Sequence, residues 1–408
     1  MSLLADIERN HEQLIAIRRD IHAHPELAFQ EQRTSALVAK RLTELGLEVH
    51  TGLGKTGVVG VLRSGTSTRS IGLRADMDAL PMPENNKFPH CSKNPGKMHG
   101  CGHDGHTTML LGAAQYLAEH RNFDGVVNFI FQPAEEGGNG GAKAMMDDGL
   151  FERFPCDAIY GMHNFPGVPT GFFGFRSGPT MASSNRFDIV INGVGGHAAQ
   201  PHKSVDPILI AVEMVQSLQS LITRNKNPID TAVLSITQIH AGDAYNVIPA
   251  QAVIRGTLRT YSVEVLDLME RNMRRMVTKL CEAYGATGEL HFVRCYPSLS
   301  NWPKETEFAA DLAEKLFGAD RVDRATPQHT GSEDFSFYLE KVPGTYLFIG
   351  NGDGDHRVDA YQGMGPCELH NSSYDFNDAL LPIGATYWCK LVEAALTAKA
   401  GSQSGTMR

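Results

Sequence analysis

The apolar positions of the first 45 residues recur at helical spacing. Leu14, Ile17 and Ile21 share one face, and the pattern predicts two helices within residues 14–45, broken at His24-Pro25 because a proline disfavours helix at the residue before it. From Gly57 the texture changes to short apolar runs closed by polar clusters. Strands are predicted at 58–62, 71–73, 126–131 and 158–161, with a helix at 107–119 carrying Met109, Leu110, Ala113 and Leu117 and a short one at 142–147. Strands alternating with helices predict an α/β sheet covered on both faces. Residues 181–294 have their own rhythm: strand 186–191, helix 204–222 with a stripe of Ile208, Val212, Val215, Leu218 and Ile222, and strands 231–239 and 252–258. Ser262 then caps a helix carrying Val265, Met269, Met273, Met276 and Leu280, and strand 290–293 closes the unit. This βαββαβ order is that of a split-βαβ, ferredoxin-like sheet with both helices on one face. The α/β pattern resumes with helix 305–316, strand 345–349 and a closing helix at 384–398, and 401–408 reads as a loose tail. The expected domains are 1–180 and 295–408, forming one catalytic body, with 181–294 inserted between them.

Composition narrows the function classes. A chain of 408 residues with 42% hydrophobic and 20% charged residues is a foldable multidomain protein. Its 37 basic and 46 acidic residues give a formal charge of −9, and without a basic run the expectation is no nucleic-acid partner. Mean hydropathy is −0.23 and no apolar run reaches the roughly 18 residues of a spanning helix, so no membrane association is expected. The first thirty residues, with Arg9, His11, Arg18, Arg19 and Asp20, hold no apolar signal core. The seven cysteines show no framework spacing, which suits a reduced cytoplasm.

The densest chemical signal is Met98-His-Gly-Cys-Gly-His-Asp-Gly-His106. Thiolate and imidazole are preferred ligands of zinc and similar divalent metals, and glycines let the backbone bring alternate side chains to one point. A capped glycine-rich turn would explain neither Cys101 nor the surplus histidines. The second signal, Gln132-Pro-Ala-Glu-Glu-Gly-Gly138, places Glu135 and Glu136 directly after a predicted strand. Adjacent carboxylates there are awkward unless a cation shares them. One then suits a ligand and the other a general base, and the residues alone do not say which. Asp76 and Asp78 follow one strand, the glutamates a second and His163 a third. They therefore share the edge where open α/β sheets bind ligands. His370, taken alone, reads as structural. In the inserted domain Gly195-Gly-His-Ala-Ala-Gln-Pro-His202 offers His197 in a loop, Asn246 sits in a second loop, and Arg259 ends the third strand, suited to hold a carboxylate. Gly52-Leu-Gly-Lys-Thr56 lacks the spacing of a phosphate cradle, and no serine or cysteine nucleophile motif is present.

Seven strings in register resemble one family: Leu73-Arg-Ala-Asp-Met-Asp-Ala-Leu-Pro81, His99 to His106, Gln132 to Gly137, Ser177-Gly-Pro-Thr-Met-Ala182, Gly195 to His202, Gly331-Ser-Glu-Asp-Phe335 and Leu369-His-Asn371. They resemble the hippurate hydrolase and auxin-conjugate hydrolase branch of the aminoacylase/carboxypeptidase-G metallopeptidases. The resemblance, running from about His22 to Trp388, implies an aminopeptidase-like mixed-sheet α/β catalytic domain with an inserted ferredoxin-like dimerisation or lid domain. It implies two divalent ions per subunit, held by Cys101, His103, Glu136, His163 and His370, with Glu135 as the base. His197 would stabilise the oxyanion from the partner subunit. Arg74-Ala-Asp-Met-Asp78 departs from the superfamily's metal-binding His-x-Asp, so Asp76 and Asp78 are expected to support ligands rather than bind metal. Ser372 stands where a proline is common after Leu-His-Asn.

The expected function is metal-dependent hydrolysis of N-acyl amino acids, with Asn246 and Arg259 on the substrate carboxylate or oxyanion. The rivals are a dipeptidase or carboxypeptidase on the same two metals and, from another class, a non-catalytic metal-binding or sensor protein. The ligand mixture suits zinc, manganese, cobalt and nickel alike. A homodimer or homotetramer is expected.

Overall fold

The structure, a computed structural model, describes residues 7–138, 140–357 and 365–397. The chain forms two compact units. Described residues of Met1–Gly178, Ser300–Pro327 and Phe337–Arg408 make the first, and Pro179–Leu299 with Gln328–Ser336 make the second.

The first unit opens with helices α1 (His11–Ala23) and α2 (Gln32–Glu44) and strands β1 (Glu48–Leu53), β2 (Gly57–Ser64) and β3 (Ser70–Asp76). Helix α3 (His103–His120), strand β4 (Gly125–Gln132), helices α4 (Gly141–Asp147) and α5 (Leu150–Arg153), and strands β5 (Ala158–Pro166) and β6 (Phe173–Gly174) follow. The second unit contains β7 (Ser184–Asn192), β8 (Gly196–His197), α6 (Pro207–Ser220), β9 (Ala232–Ala241), β10 (Val247–Ile248), β11 (Gln251–Thr260), α7 (Val263–Ala283) and β12 (Thr287–Tyr296). The chain returns to the first unit with α8 (Pro303–Phe317), β13 (Val322–Asp323), β14 (Gly344–Gly352) and α9 (Leu380–Ala395).

The first unit's sheet has the order β1-β2-β4-β3-β5-β14-β6-β13. Its centre, β4-β3-β5-β14, is parallel, and antiparallel β1 and β2 flank it. Every residue of β3 is buried, including two charged ones. Arg74 resolves that cost by donating to Asp76 at 2.7 Å and to Gln132 of β4 at 2.8 Å. Leu73, Phe129, Phe131, Leu110 and Trp388 lie in one core. The second unit's sheet runs β9-β11-β7-β12, all antiparallel, the strand order of a ferredoxin-like sheet. Ser262 caps α7 as expected, accepting from the Val265 amide at 3.2 Å.

Four local expectations are corrected. Helix α3 starts at His103, not four residues later, so the histidine-rich cluster forms its first turn. Strand β5 continues to Pro166, which puts His163 inside the strand rather than past its end. Helix α6 starts at Pro207, capped by Asp206, and buries Ile210, Ala211, Met214 and Leu218, while Ile208 and Val212 of the expected stripe are exposed. Helix α9 begins at Leu380, and both its expected end at 398 and the tail 401–408 lie outside the described residues.

Candidate metal centre

The carboxyl ends of β3 and β4, the start of α3 and the later half of β5 meet in the first unit. Gly102 makes the approach possible. It has φ +92°, and a Cβ there would collide with Asn164 Oδ1 and Tyr374 Oη. Cys101 and His103 on either side then converge with His163. One ligand atom from each of the three lies within 4.8 Å of the others, and Cys101 Sγ is 3.4 Å from His163 Nε2. The same limit of 4.8 Å joins Cys101, Glu136 and His370, and joins His103, Glu135 and Glu136. All five expected ligands and the expected base therefore share one cluster.

The hydrogen bonds around the histidines set them up as ligands. His103 Nδ1 donates to the Asp78 carbonyl at 2.9 Å, and His163 Nδ1 donates to the Asn164 carbonyl at 2.7 Å. Each ring thus keeps Nε2 as the lone-pair nitrogen on the cluster side, as metal-bound imidazoles do. His103 Nε2 is buried without a hydrogen-bond partner among the described residues. A buried donor set with an orphaned imidazole nitrogen fits a divalent cation.

The electrostatics favour positive charge. Burial works against a charged His103, but Asp76, 3.7 Å from Nε2, acting together with Asp78 and Cys101, outweighs it and raises the imidazole well above its ordinary range. Burial likewise opposes ionisation of Glu136. The His370 imidazole 3.2 Å away, with His103, nevertheless holds its carboxyl below the usual value. Burial and the nearby Glu136 push the Cys101 thiol up to about 12, so only a cation at the site would make it a thiolate at neutral pH. His163 is kept neutral by burial and by His106.

The other members of the cluster support it. His106 is engaged on both nitrogens, with Asp76 at 2.7 Å and Asn164 at 2.7 Å. His99 is buried and pushed down to about 3 by burial. Asp104 does not cap α3; it sits inside the first turn and accepts from His22 Nδ1 at 2.9 Å. Asp78 does more than its motif suggested. Its two carboxylate oxygens accept the backbone amides of Glu135 at 3.1 Å and Glu136 at 2.9 Å. His370 adopts φ +60° with its side chain 55% exposed, a strained loop position with no periodic signal in sequence.

In the second unit His197 lies on β8, paired with Val247 of β10, and is exposed. The amide of Ala199 donates to its Nδ1 at 3.1 Å, and the amide of Ala198 donates to the Asn246 carbonyl at 3.0 Å. His197 and Asn246 are thus neighbours. Arg259 is not brought to them: it is the ninth residue of β11, half-buried, and donates to Ser184 Oγ at 3.0 Å.

Residues 72–394 match the model of peptidase family M20/M25/M40. The chain belongs to that family. As an M20 protein it is similar to the hippurate hydrolase of Campylobacter jejuni, at 42% identity over 96% of this chain and 98% of that one. It is 38% identical to an N-acetylcysteine deacetylase of Bacillus subtilis, over 95% of this chain and 97% of the relative. A crystal structure of a dinuclear metal-binding M20 peptidase from Bacillus subtilis matches with a TM-score of 0.82 and 35% identity, covering 96% and 99% of the two chains. This M20 chain is a metal-dependent amidohydrolase, with the mixed-sheet catalytic body and inserted second domain of its relatives.

Proposed function

We propose that this amidohydrolase cleaves the amide bond of N-acyl amino acids, hippurate-like or N-acetyl, releasing a carboxylic acid and a free amino acid. The observation that carries the reading is Glu135, buried and backbone-anchored, within the same 4.8 Å cluster as His103 and Glu136. Cys101, His103, Glu136, His163 and His370 would hold two divalent ions, zinc, manganese, cobalt or nickel. Bound there, such ions supply Lewis acidity toward the amide carbonyl and toward water.

Glu135 accepts a proton from the attacking water and passes it to the departing amide nitrogen. His197 donates to the oxyanion, and Asn246 and Arg259 hold the substrate's polar end. From the start of β11 to Arg259 is eight strand steps, roughly 26 Å, longer than an N-acyl amino acid. That length supports Asn246 and His197 serving one substrate together with the Arg259 of another copy, hence a homodimer or a tetramer built from dimers. In this reading 181–294 is a lid and dimerisation domain inserted in a catalytic domain of 1–180 and 295–408. A cytoplasmic location fits the seven free cysteines.

The test is hydrolysis of benzoylglycine, N-acetylmethionine and glycyl dipeptides by chelator-treated protein with each metal restored singly. Metal-restored release of amino acid from the N-acyl substrates is expected, with Glu135→Gln and His197→Ala binding metal normally and losing at least about 10²-fold in kcat. Preferential cleavage of the dipeptides would replace the reading with an exopeptidase.

A further inference from the structure

The turn that carries Glu135 and Glu136 is held by its main chain, and by side chains remote in sequence. Three successive amides, those of Ala134, Glu135 and Glu136, each donate to a buried carboxylate. Asp78 takes the second and third. The first, at 2.9 Å, goes to Oε1 of Glu31. Ala134 has φ +53°, a left-handed conformation that residues other than glycine rarely adopt. The same Glu31 Oε1 accepts the amide of Phe29 at 3.0 Å, and Phe29 is itself left-handed at φ +60°. Oε2 accepts the Thr56 hydroxyl at 2.6 Å.

Glu31 has an ordinary task that it does not perform. It stands at the N-cap of α2, yet its side chain makes no cap hydrogen bond. Glu26 serves that end instead, accepting from the amides of Arg33 at 2.9 Å and Thr34 at 2.8 Å. The Glu31 carboxylate is thereby left for the turn beside the metal cluster. Burying a carboxylate at zero exposure costs free energy that a neutral side chain of like size avoids. A role at that turn accounts for its presence.

We propose that Glu31 is a positioning residue for the catalytic turn, fixing the left-handed Ala134 so that the Glu135 carboxylate meets the water and the amide nitrogen in a single orientation. This rests on Glu135 being the base. The test compares Glu31→Met, which keeps the volume and removes the acceptor, with Glu31→Gln, which keeps an acceptor oxygen for the two amides. In metal-loaded protein, Glu31→Met is expected to lose about 10²-fold in kcat with KM and metal stoichiometry unchanged. Glu31→Gln should stay within about threefold of the parent, since its amide oxygen still accepts.

Unimpaired turnover by folded Glu31→Met overturns the proposal. So does a loss that merely tracks lost metal, and so does a Glu31→Gln protein as damaged as Glu31→Met. Should Glu31→Met not fold, hydrogen exchange of the parent decides: an Ala134 amide as protected as those of β4 supports the clamp, and one that exchanges like an exposed loop ends it. Glu135→Gln assayed alongside separates the two readings. Normal turnover there removes the base assignment. An inactive Glu135→Gln beside an active Glu31→Met removes only the positioning role.

Discussion

Glu31 also makes a stability prediction, because burial pushes its carboxyl from 4.5 to about 7, the negative Asp78 adds to the rise, and the Thr56 hydroxyl pulls the other way. Between those two values the folded protein binds more protons than the unfolded one at this position. Its contribution to stability is therefore greatest below pH 4.5, is lost as pH rises to 7, and stays lost above. Relative to Glu31→Gln, the parent should lose up to about 3 kcal/mol across that window, since each pH unit between the two values is worth about 1.4 kcal/mol. Urea unfolding of both proteins at a series of pH values measures the difference, and a gap that does not change with pH contradicts it. The residue types of the candidate metal cluster were legible in the sequence, since Cys101, His103 and the two glutamates stand in dense strings beside strand ends. The groups that hold them were not. Glu31 and Asp78 act on backbone amides 103 and 57 residues away, and no local pattern reports such a contact. His370 needed a family resemblance for the same reason: it is an exposed loop residue that only the fold brings to Glu136.

At the scale of elements, periodicity worked where one face is apolar and failed where several are. Helix α1 buries Leu14, Ile17 and Ile21 as its spacing predicts. Helix α6 begins with the run Ile208-Leu-Ile-Ala-Val212, which offers an apolar residue in every direction, so the expected stripe failed at Ile208 and Val212 and held at Leu218, with Val215 and Ile222 packed against the core. The structure leaves Ile208 41%, Leu209 57% and Val212 49% exposed on α6, and on the edge strand β9 it exposes Ile239 51%. An unpaired edge beside an apolar helix face invites a second copy. If the proposed homodimer uses this surface, Leu209→Glu combined with Val212→Lys is expected to give a monomer in analytical ultracentrifugation and to lower activity without removing metal. An unchanged sedimentation coefficient would move the subunit contact elsewhere. The missed strands β1, β6 and β13 lie at or near the margins of the sheet, and two of them are only two residues long, too short to carry alternation.

On the scale of the whole chain, the two compact units differ in how they are written along the sequence. The sheet β9-β11-β7-β12 is drawn from residues 184–296 without interruption. In the other sheet β5 lies beside β14, so Tyr160 pairs with Thr345 across more than 180 intervening positions, and His163 sits on that strand. Closing so long a loop is entropically slow, and the ribosome delivers β14 only after the whole inserted unit has been made. The inserted unit should therefore reach its native hydrogen bonds first, during both translation and refolding. Pulse-labelled hydrogen exchange of the refolding full chain should find amides of α7 and β12 protected before those of β5 and β14, and simultaneous protection would refute the order. Loading in the cell follows from this: because half of the parallel ladder around His163 is missing until β14 arrives, a metal ion would meet its complete ligand set only after the chain has been made through β14 and His370. Loading would then wait on β14 and His370 rather than on the cysteine and histidines made earlier, and be sensitive to which ions are available at that moment.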